Sequence, residues 1–415
     1  MITRIWTGHR ALATALVAIA VVAILAGGLL LVTGAGGTAQ ASATPGAISS
    51  ELATLPSLSP APSGSSPSES SSPSTSPTPT VAPTSTPLPA GMAYADLDGV
   101  LTTTALAHRL PMAVMIDNQT SAARPQSGMS SASIVIQAPN DESSDRYEMF
   151  FQEGTSSAIG PIRSTRPYYV YWADEYKAML GHYGGDNLVL QVTIPANAGN
   201  FYNLDGKGSG NCKFPDKSHA FERDPTRVIP HNVYTSTAAL LKCLAKKNYP
   251  ATYQNMPTRP FLDNAAPAAQ PTVQVFTVRY PAEYIGYTFD PTRDAYLRSE
   301  SYKISLGGGK VGEAGGPEID KANGHQVFAS NVIVMYQAIG TQWFEKPRAR
   351  RTVANIGTGK AIVFQEGKEI VGTWVKGTNT ALTRFYDSTG KEIPLVRGPI
   401  FIQSIPTTYP LTIVK

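Results

Sequence analysis

The hydrophobic and polar positions of this chain change regime several times along its length. Residues Ala11–Val32, ALATALVAIAVVAILAGGLLLV, form one uncharged apolar run. At about 1.5 Å per helical residue it reaches about 33 Å, enough for the hydrocarbon core of a bilayer. Over residues 33–94 the pattern dissolves into Ser, Pro, Thr and Ala, as in SPAPSGSSPSESSSPSTSPTPTVAPTSTP. Such a stretch cannot bury enough apolar surface to offset the entropy of ordering it, so a disordered, semi-extended spacer is predicted. Beyond Ala95 short apolar runs begin. PMAVMID (Pro111–Asp117), SIVIQAP (Ser133–Pro139) and RYEMFFQE (Arg146–Glu153) read as strands. In PYYVYWADEYKAM, Tyr168, Trp172, Glu175 and Tyr176 recur at helical spacing behind Pro167, which predicts a helix. MLGHYGGDN reads as a short strand that breaks at Gly184-Gly185. HNVYTSTAALLKCLAKK offers Thr235, Ser236 and Thr237 as caps, then an apolar stripe and terminal lysines, which predicts a second helix.

TRPFLDNAAPAAQP, residues 258–271, has no period and is rich in Pro and Ala, which marks a linker. From residue 272 to residue 415 nearly every run is short and β-favouring, including VQVFTVRY, AYLRSE, NVIVMYQAI, ARRTVANI and IFIQSI. VFQEGKEIVGTW reads as a hairpin and YDSTGKEIPL as a further turn. The predicted architecture is an α/β or α+β N-terminal domain over residues 95–257 and a β-rich sandwich or open barrel over 272–415. Both stand behind a transmembrane helix at 11–32 and the spacer.

Arg4 and Arg10 precede the apolar run and no basic residue follows it closely, which orients residues 1–10 toward the cytoplasm and the remainder outward. A retained signal-anchor is expected. The alternative is a signal cleaved among the small residues of TAQASA. The net charge of +4 is spread over interspersed acids and bases, without the basic stripe that a nucleic-acid partner requires. Cys212 and Cys243, both on the exported side, are expected to form a disulfide; two buried free thiols are the alternative. There is no Cys-x-x-Cys motif, and His182, His219 and His231 with Asp117 or Asp216 follow no zinc-ligand spacing, so neither metal nor cofactor is expected.

Ordered polar landmarks then give the chain a likeness. AVMIDN with ARPQSGMSSA, RYEMFFQ, GPIRSTRPY, GHYGG, RDPTRVIPHNVYTST, NVIVMY, GTGKAIVFQEGKEIVGTW and TRFYDSTGKEIPL resemble the YerB-like bacterial envelope proteins, built on domain of unknown function 3048. The resemblance covers roughly Ala95 to Pro406. It implies an extracytoplasmic location, and an N-terminal and a C-terminal half, but no activity. Many members look like lipoproteins. This chain departs from them in carrying an apolar run and a Ser/Pro spacer with no cysteine behind the run.

Several polar residues stand where strands end, a common place for side chains to enter a crevice. Asp117 and Asn118 close the first strand, with Arg124, Gln126 and Ser127 on the next loop. Arg163 and Arg166 lie between a strand and a helix, His182 precedes Gly184-Gly185, and His231 and Asn232 precede the second helix. Gathered together they would make a polar or anion-binding cleft, because guanidinium groups capture carboxylate or phosphate with paired hydrogen bonds. Each also has a structural reading. Asp117 and Asn118 can cap a turn, the arginines can pair with Asp141, Glu148 or Glu175, and the histidines can be hydrogen-bonded core residues. The tyrosines from Tyr168 to Tyr176 are first a packing face and only second a platform for sugar stacking. LGGGKVGEAGGPEID and GTGK lack the setting of a phosphate loop, and GTGK reads as a β-turn. His325, Trp374 and Arg384 could line an interaction surface; a core tryptophan and a surface salt bridge are equally expected.

The leading functional expectation is an extracytoplasmic, membrane-tethered binding or scaffolding protein that meets a cell-wall fragment, an anionic ligand or an envelope protein. The alternative is an envelope hydrolase or transferase acting on a glycan, peptide or phosphate ester. There His182 or His231 would be the base, Asp117 its orienter or the acid, and Arg163 and Arg166 the clamp. No nucleophile motif accompanies them.

Overall fold

The computed structural model describes residues 88–141, 144–262, 271–345 and 348–415. The predicted anchor at 11–32 and most of the spacer lie outside these residues. Among the described residues no helix is long and apolar enough to cross a membrane. The first half contributes β1 (Met92–Tyr94), β2 (Leu101–Thr103), β3 (Met112–Asp117), β4 (Ile134–Pro139), β5 (Asp145–Phe151), β6 (Met179–His182), β7 (Tyr202–Asp205), β8 (Glu222–Arg223) and β9 (Val233–Tyr234). Its helices are α1 (Thr104–Ala107), α2 (Pro167–Glu175), α3 (Ile194–Ala196) and α4 (Thr237–Lys246). The second half supplies β10 (Val275–Arg279), β11 (Glu283–Asp290), β12 (Ala295–Gly307), β13 (Lys310–Pro317), β14 (Phe328–Ala329), β15 (Asn331–Tyr336) and β16 (Ile339–Glu345). It ends with β17 (Arg348–Val353), β18 (Gly357–Gln365), β19 (Lys368–Lys376), β20 (Arg384–Asp387), β21 (Ile400–Ile405) and β22 (Leu411–Val414). The described region is therefore β-rich, with far more strand than helix.

Ten strands form one mixed sheet in the order β20-β19-β18-β15-β21-β4-β5-β3-β6-β7. The two halves meet at β21, which pairs in parallel with β15 on one side and β4 on the other. The predicted segments thus share one sheet, joined by a strand more than 260 residues after β4. β3, β4, β5, β15 and β21 are buried at nearly every position, as expected for strands covered on both faces. Alternate residues of β3 enter different cores: Met112, Val114 and Ile116 one, Ala113 and Met115 the other. On the first face the aromatic residues of a second sheet, Phe276 and Tyr287, cluster with Phe364 and Phe401 and with Leu240 and Leu244 of α4. That second sheet runs β13-β12-β11-β10-β22, with β14 against β12. On the other face Tyr168, Tyr169, Trp172 and Tyr176 of α2 pack on Met115, Ile136, Phe150 and Ile402.

Local chemistry explains the elements. Pro167 opens α2, where a missing N–H is harmless, and Ser236 caps α4 by accepting from Ala239 N at 3.1 Å. Cys212 and Cys243 are disulfide-bonded, with Cα atoms 5.6 Å apart, and pin a long loop to α4. The ordered fold begins before the expected spacer boundary, because β1 at residues 92–94 pairs with β2. The first part of the expected linker is also packed: Arg259 is buried against Glu175 at 3.0 Å and Leu262 N donates to Leu395 O at 2.9 Å. Gly307–Lys310 is the turn between β12 and β13. GTGK at residues 357–360 is not a turn but the start of β18, paired with β19, where Gly359 leaves room for the Trp374 ring. Trp374 is itself a core residue that donates to Tyr336 O at 2.8 Å, and Arg384 forms a salt bridge to Glu392 at 2.6 Å. His325 is exposed.

Candidate functional site

The nine strand-end residues fall into separate polar networks rather than one crevice. Asp117, at the end of β3, is fully buried; one of its oxygens is bonded to His231 Nδ1 at 2.5 Å and is ion-paired, without a hydrogen bond, with Arg163 Nε at 3.1 Å. Burial pushes this carboxyl up, but the His231 hydrogen bond and the charges of Arg163 and Arg146 outweigh it and hold it below the ordinary range. Thr120 Oγ1 lies 3.3 Å from the other imidazole nitrogen, Nε2. Arg146 stands opposite Asp117 on β5, donates to Ser164 O at 2.5 Å, and is pushed down to about 10 by burial and by Arg166 and Arg163.

Asn118, Arg124 and Gln126 belong to a second network between the two sheets. Asn118 Nδ2 donates to Asp145 at 2.7 Å and to Glu283 at 2.9 Å, and Gln137 Nε2 donates to the same two oxygens at 2.7 and 2.6 Å. Gln126 Nε2 donates to Asn118 Oδ1 at 2.8 Å, and Arg124 pairs with Glu283 and, at 2.8 Å, with Glu300. Burial raises both Asp145 and Glu283, which fits a proton shared between the adjoining carboxyls. His182 is sealed, bonded to Gly184 O and Asn203 Oδ1, each at 2.8 Å. Asn232 accepts from Arg223 at 2.6 Å. These residues hold elements together.

Arg166 goes elsewhere, and it leads to a cavity. Its Nε and NH2 reach Asp141 Oδ2 at 3.1 and 2.7 Å, and its Nε lies 3.3 Å from Asp186 Oδ2. Asp141 also takes Arg350 NH1 at 2.7 Å and Arg351 N at 3.0 Å. Burial alone would raise Asp141, but Arg166 and the hydrogen bonds from Arg351 and Arg350 hold it below the usual carboxylate range. In front of this network lies a cleft of about 320 Å³, within the range of small-molecule sites. One wall is α2, with Tyr168 and Tyr171. A second is the helical stretch 187–196, with Leu188, Val192, Thr193 and Asn197. The third is the β16–β17 hairpin, with Gln342 and Arg350–Val353.

Asp186 is the cleft's distinctive residue. Its Oδ1 caps the helical stretch by accepting from Val189 N at 2.8 Å. Its Oδ2 is buried and accepts no hydrogen bond from a protein donor, although the residue is only 4 % exposed and lines the cavity. The stretch widens into a π-type turn at Val189–Thr193. Pro195 supplies no N–H to the carbonyl one α-turn earlier, which favours the wider turn, and such turns recur at functional sites.

Sequence reasoning singled out Arg166 and the tyrosine run and offered Asp141 as an arginine partner, which the Arg166–Asp141 pair bears out, but it missed Asp186 and Arg350. Asp186 follows GHYGG directly and precedes an apolar helical run, so its capping position was readable; its partners on a distant hairpin were not. Of the tyrosines, Tyr168, Tyr169 and Tyr176 are packing residues, and Tyr171 is the partly exposed one. Among the described residues no group of three or more His, Cys, Asp or Glu side chains is arranged to hold a metal. A shallower depression of about 390 Å³ lies apart from this cleft, lined by Ser127, Ser157, Arg223, Tyr234 and Lys321.

Comparison with known proteins bears on identity rather than chemistry. The chain is 27 % identical over 319 residues to the Bacillus subtilis (strain 168) protein named "Putative lipoprotein YerB", covering 75 % of this chain and 86 % of that one. The crystal structure of YerB from Bacillus subtilis superposes with a TM-score of 0.61 at 24 % identity, over 77 % of this chain and 99 % of that one, which shows a shared fold. Residues 97–250 match the model described as "Protein of unknown function (DUF3048) N-terminal domain", and residues 276–402 match the corresponding C-terminal domain. With both halves present in order, and the YerB fold extending over them, the chain belongs to the DUF3048 family.

Proposed function

We propose that this protein is an extracytoplasmic binding or scaffolding protein of the bacterial cell envelope. In this reading Ala11–Val32 tethers it to the membrane, the Ser/Pro-rich spacer extends it outward, and the cleft between α2, residues 187–196 and the β16–β17 hairpin takes its ligand. The observation that carries the proposal is the cleft of about 320 Å³ itself, walled by these three elements, with the buried carboxylate of Asp186 among its lining residues. The relative's name supports an envelope location, reached there through lipid and here through an apolar run. Cells expressing the full chain with a photo-crosslinking residue in place of Val192, an exposed cleft residue, test the site. Irradiation should give an adduct that the same residue placed at Val371, on β19, does not. Absence of any adduct specific to the cleft overturns the reading.

One observation favours the enzymatic alternative. Thr120, His231 and Asp117 stand in the order hydroxyl, imidazole, carboxylate that activates a nucleophile. If this arrangement is catalytic, Thr120→Ala and His231→Gln each abolish turnover of an activated ester by the purified full chain. Unchanged turnover in both variants removes the alternative.

A further inference from the structure

We infer that the disulfide-pinned loop and the outer face of α4 form a docking surface for a flexible phosphodiester polymer, one that carries a single negative charge per repeat. The inference is independent of the cleft and stands whether or not the cleft takes a ligand.

Charge comes first. The chain holds 34 lysines and arginines against 30 aspartates and glutamates. Two short segments break the near balance. Residues 212–219, CKFPDKSH, and 237–248, TAALLKCLAKKN, together hold five lysines and one acid, Asp216. Without them the rest of the chain stands at 29 against 29, so the net charge of +4 resides in these segments. They are separate in sequence, and neither is a basic run. The fold brings them together. Cys212 is bonded to Cys243, Lys246 Nζ donates to Lys213 O at 2.5 Å, and Lys242 Nζ lies 3.8 Å from Asp216 Oδ2, next to Lys217.

Lys213, Lys217, Lys242 and Lys246 are exposed and Lys247 is partly so. Among the described residues, Lys242 is the one of the five with a carboxylate partner, and at 3.8 Å that pair is loose. Lys246 and Lys247 also sit well at the C-terminal end of α4, where cations offset the helix dipole. That accounts for two of the five. Lys213 and Lys217 lie off the helix, and Lys242 lies a turn before its end. Like charges gathered this way raise the local potential and attract a polyanion.

Geometry and surface narrow the partner. Lys242 and Lys246 share one face of α4, about 6 Å apart along its axis, with the loop lysines as a second row. Ammonium groups are compact point charges without the fork of a guanidinium, so they suit charges strung along a chain better than one planar carboxylate. The patch has nothing to insert into a bilayer, because the large apolar side chains exposed among the described residues lie elsewhere. Phe214, the aromatic ring of the loop, is buried, with Lys242 Nζ over it at 4.1 Å from the ring centroid, so nucleobases find no stacking face on it. A polymer of plain phosphate esters uses the charge and needs neither feature.

Binding of fluorescently labelled synthetic poly(glycerol phosphate) to the full chain in phosphatidylcholine nanodiscs, read by anisotropy, tests this. The polymer should bind at about 50 mM salt, and its affinity should fall steeply as salt is raised to about 200 mM. Lys242→Gln with Lys246→Gln should weaken binding by about tenfold or more and flatten the salt dependence; adding Lys213→Gln and Lys217→Gln should abolish it. Lys303→Gln with Lys310→Gln, at exposed positions of the β12–β13 hairpin, should leave it unchanged. All are surface substitutions, and thermal melts check that each variant is folded. No binding by the wild-type chain overturns the inference, as does equal binding by the patch and hairpin variants. Nanodiscs doped with phosphatidylglycerol separate polymer from membrane. Polymer binding should persist in them; its loss would assign the patch to anionic lipid and overturn the polymer reading. A thymidine oligonucleotide of equal charge should bind no more tightly than the polymer, and tighter, lysine-dependent binding would overturn the assignment to plain phosphate esters.

Discussion

Glu175, the last residue of α2, and Asp186, which meets Arg166 at the start of that helix, are two buried acids whose surroundings differ in one respect that matters. Glu175 Oε1 receives Arg259 at 3.0 Å and Thr383 N at 2.8 Å, and its Oε2 receives Lys376 at 2.6 Å and Thr383 Oγ1 at 2.8 Å. Two cations, an amide and a hydroxyl leave neither oxygen open. Asp186 has two arginines nearby as well, yet one oxygen is spent on a helix cap and the other has no hydrogen bond. Ion pairing alone would rank the two residues together. Counting satisfied lone pairs separates them: Glu175 is saturated by hydrogen bonds, whereas Asp186 keeps one oxygen held only by ion pairing with Arg166 and Arg350.

Replacing Lys376 with Met is the strongest test of the structural side. Glu175 would keep one cation in a fully buried site, and unfolding free energy by urea titration should fall by about 3–5 kcal/mol. A loss under about 1 kcal/mol would mean that Glu175 is not the structural anchor described here.

Protonation tests the same side. Glu175 and Asp141 are held below the usual carboxylate range, so their contribution is present above the ordinary pKa and is lost as pH falls through the depressed values. Glu148, buried beneath α2 with neither oxygen bonded, goes the other way: burial, then the charge of Glu175, pushes it well above its ordinary value. Its contribution is fully present below the unfolded pKa near 4.5 and is lost as pH rises. Glu148→Gln should therefore gain on wild type by about 1 kcal/mol or more at pH 8, and the gain should vanish near pH 4. Melting temperatures of both proteins at the two pH values decide it; a gap that does not change with pH would contradict the assignment.

On the cleft side, effects on stability should be small. Asp186→Asn should cost at most about 1 kcal/mol, because Asn caps a helix as well as Asp does and Arg166 and Arg350 keep Asp141. A loss as large as that of Lys376→Met would erase the distinction. Tyr171→Ala, at a partly exposed position, should change stability by about 0.5 kcal/mol or less in the same titration.

Much of this was readable from the sequence, and the division has a physical cause. Local patterns placed β3, β4, β5, α2 and α4 within a few residues, because burial on both faces and helix capping write themselves into adjacent positions. The disulfide was readable from two cysteines on the exported side. Contacts over long separations were not. Nothing near IFIQSI reveals that β21 lies between β4 and β15, and nothing near Arg259 reveals that a linker-like segment carries a buried ion pair to α2. The predicted cleft was misdrawn for the same reason. The uncommon residues were readable one by one, but Arg124 finds its acids on β11 and β12, and Arg166 shares its acids with a hairpin some 180 residues on.

The position of β21 bears on how such a chain is made. Synthesis proceeds from the N-terminus, so when residues 134–139 are complete their partner at residues 400–405 does not yet exist. Through the making of some 260 intervening residues the outer edge of β4 has no native neighbour, and an open strand edge is a template for foreign pairing. The large sheet closes only once residues 400–405 are available. A chain released before residue 400 would carry two incomplete half-sheets with facing edges exposed, so premature termination should yield aggregates or proteolysis rather than a smaller working protein.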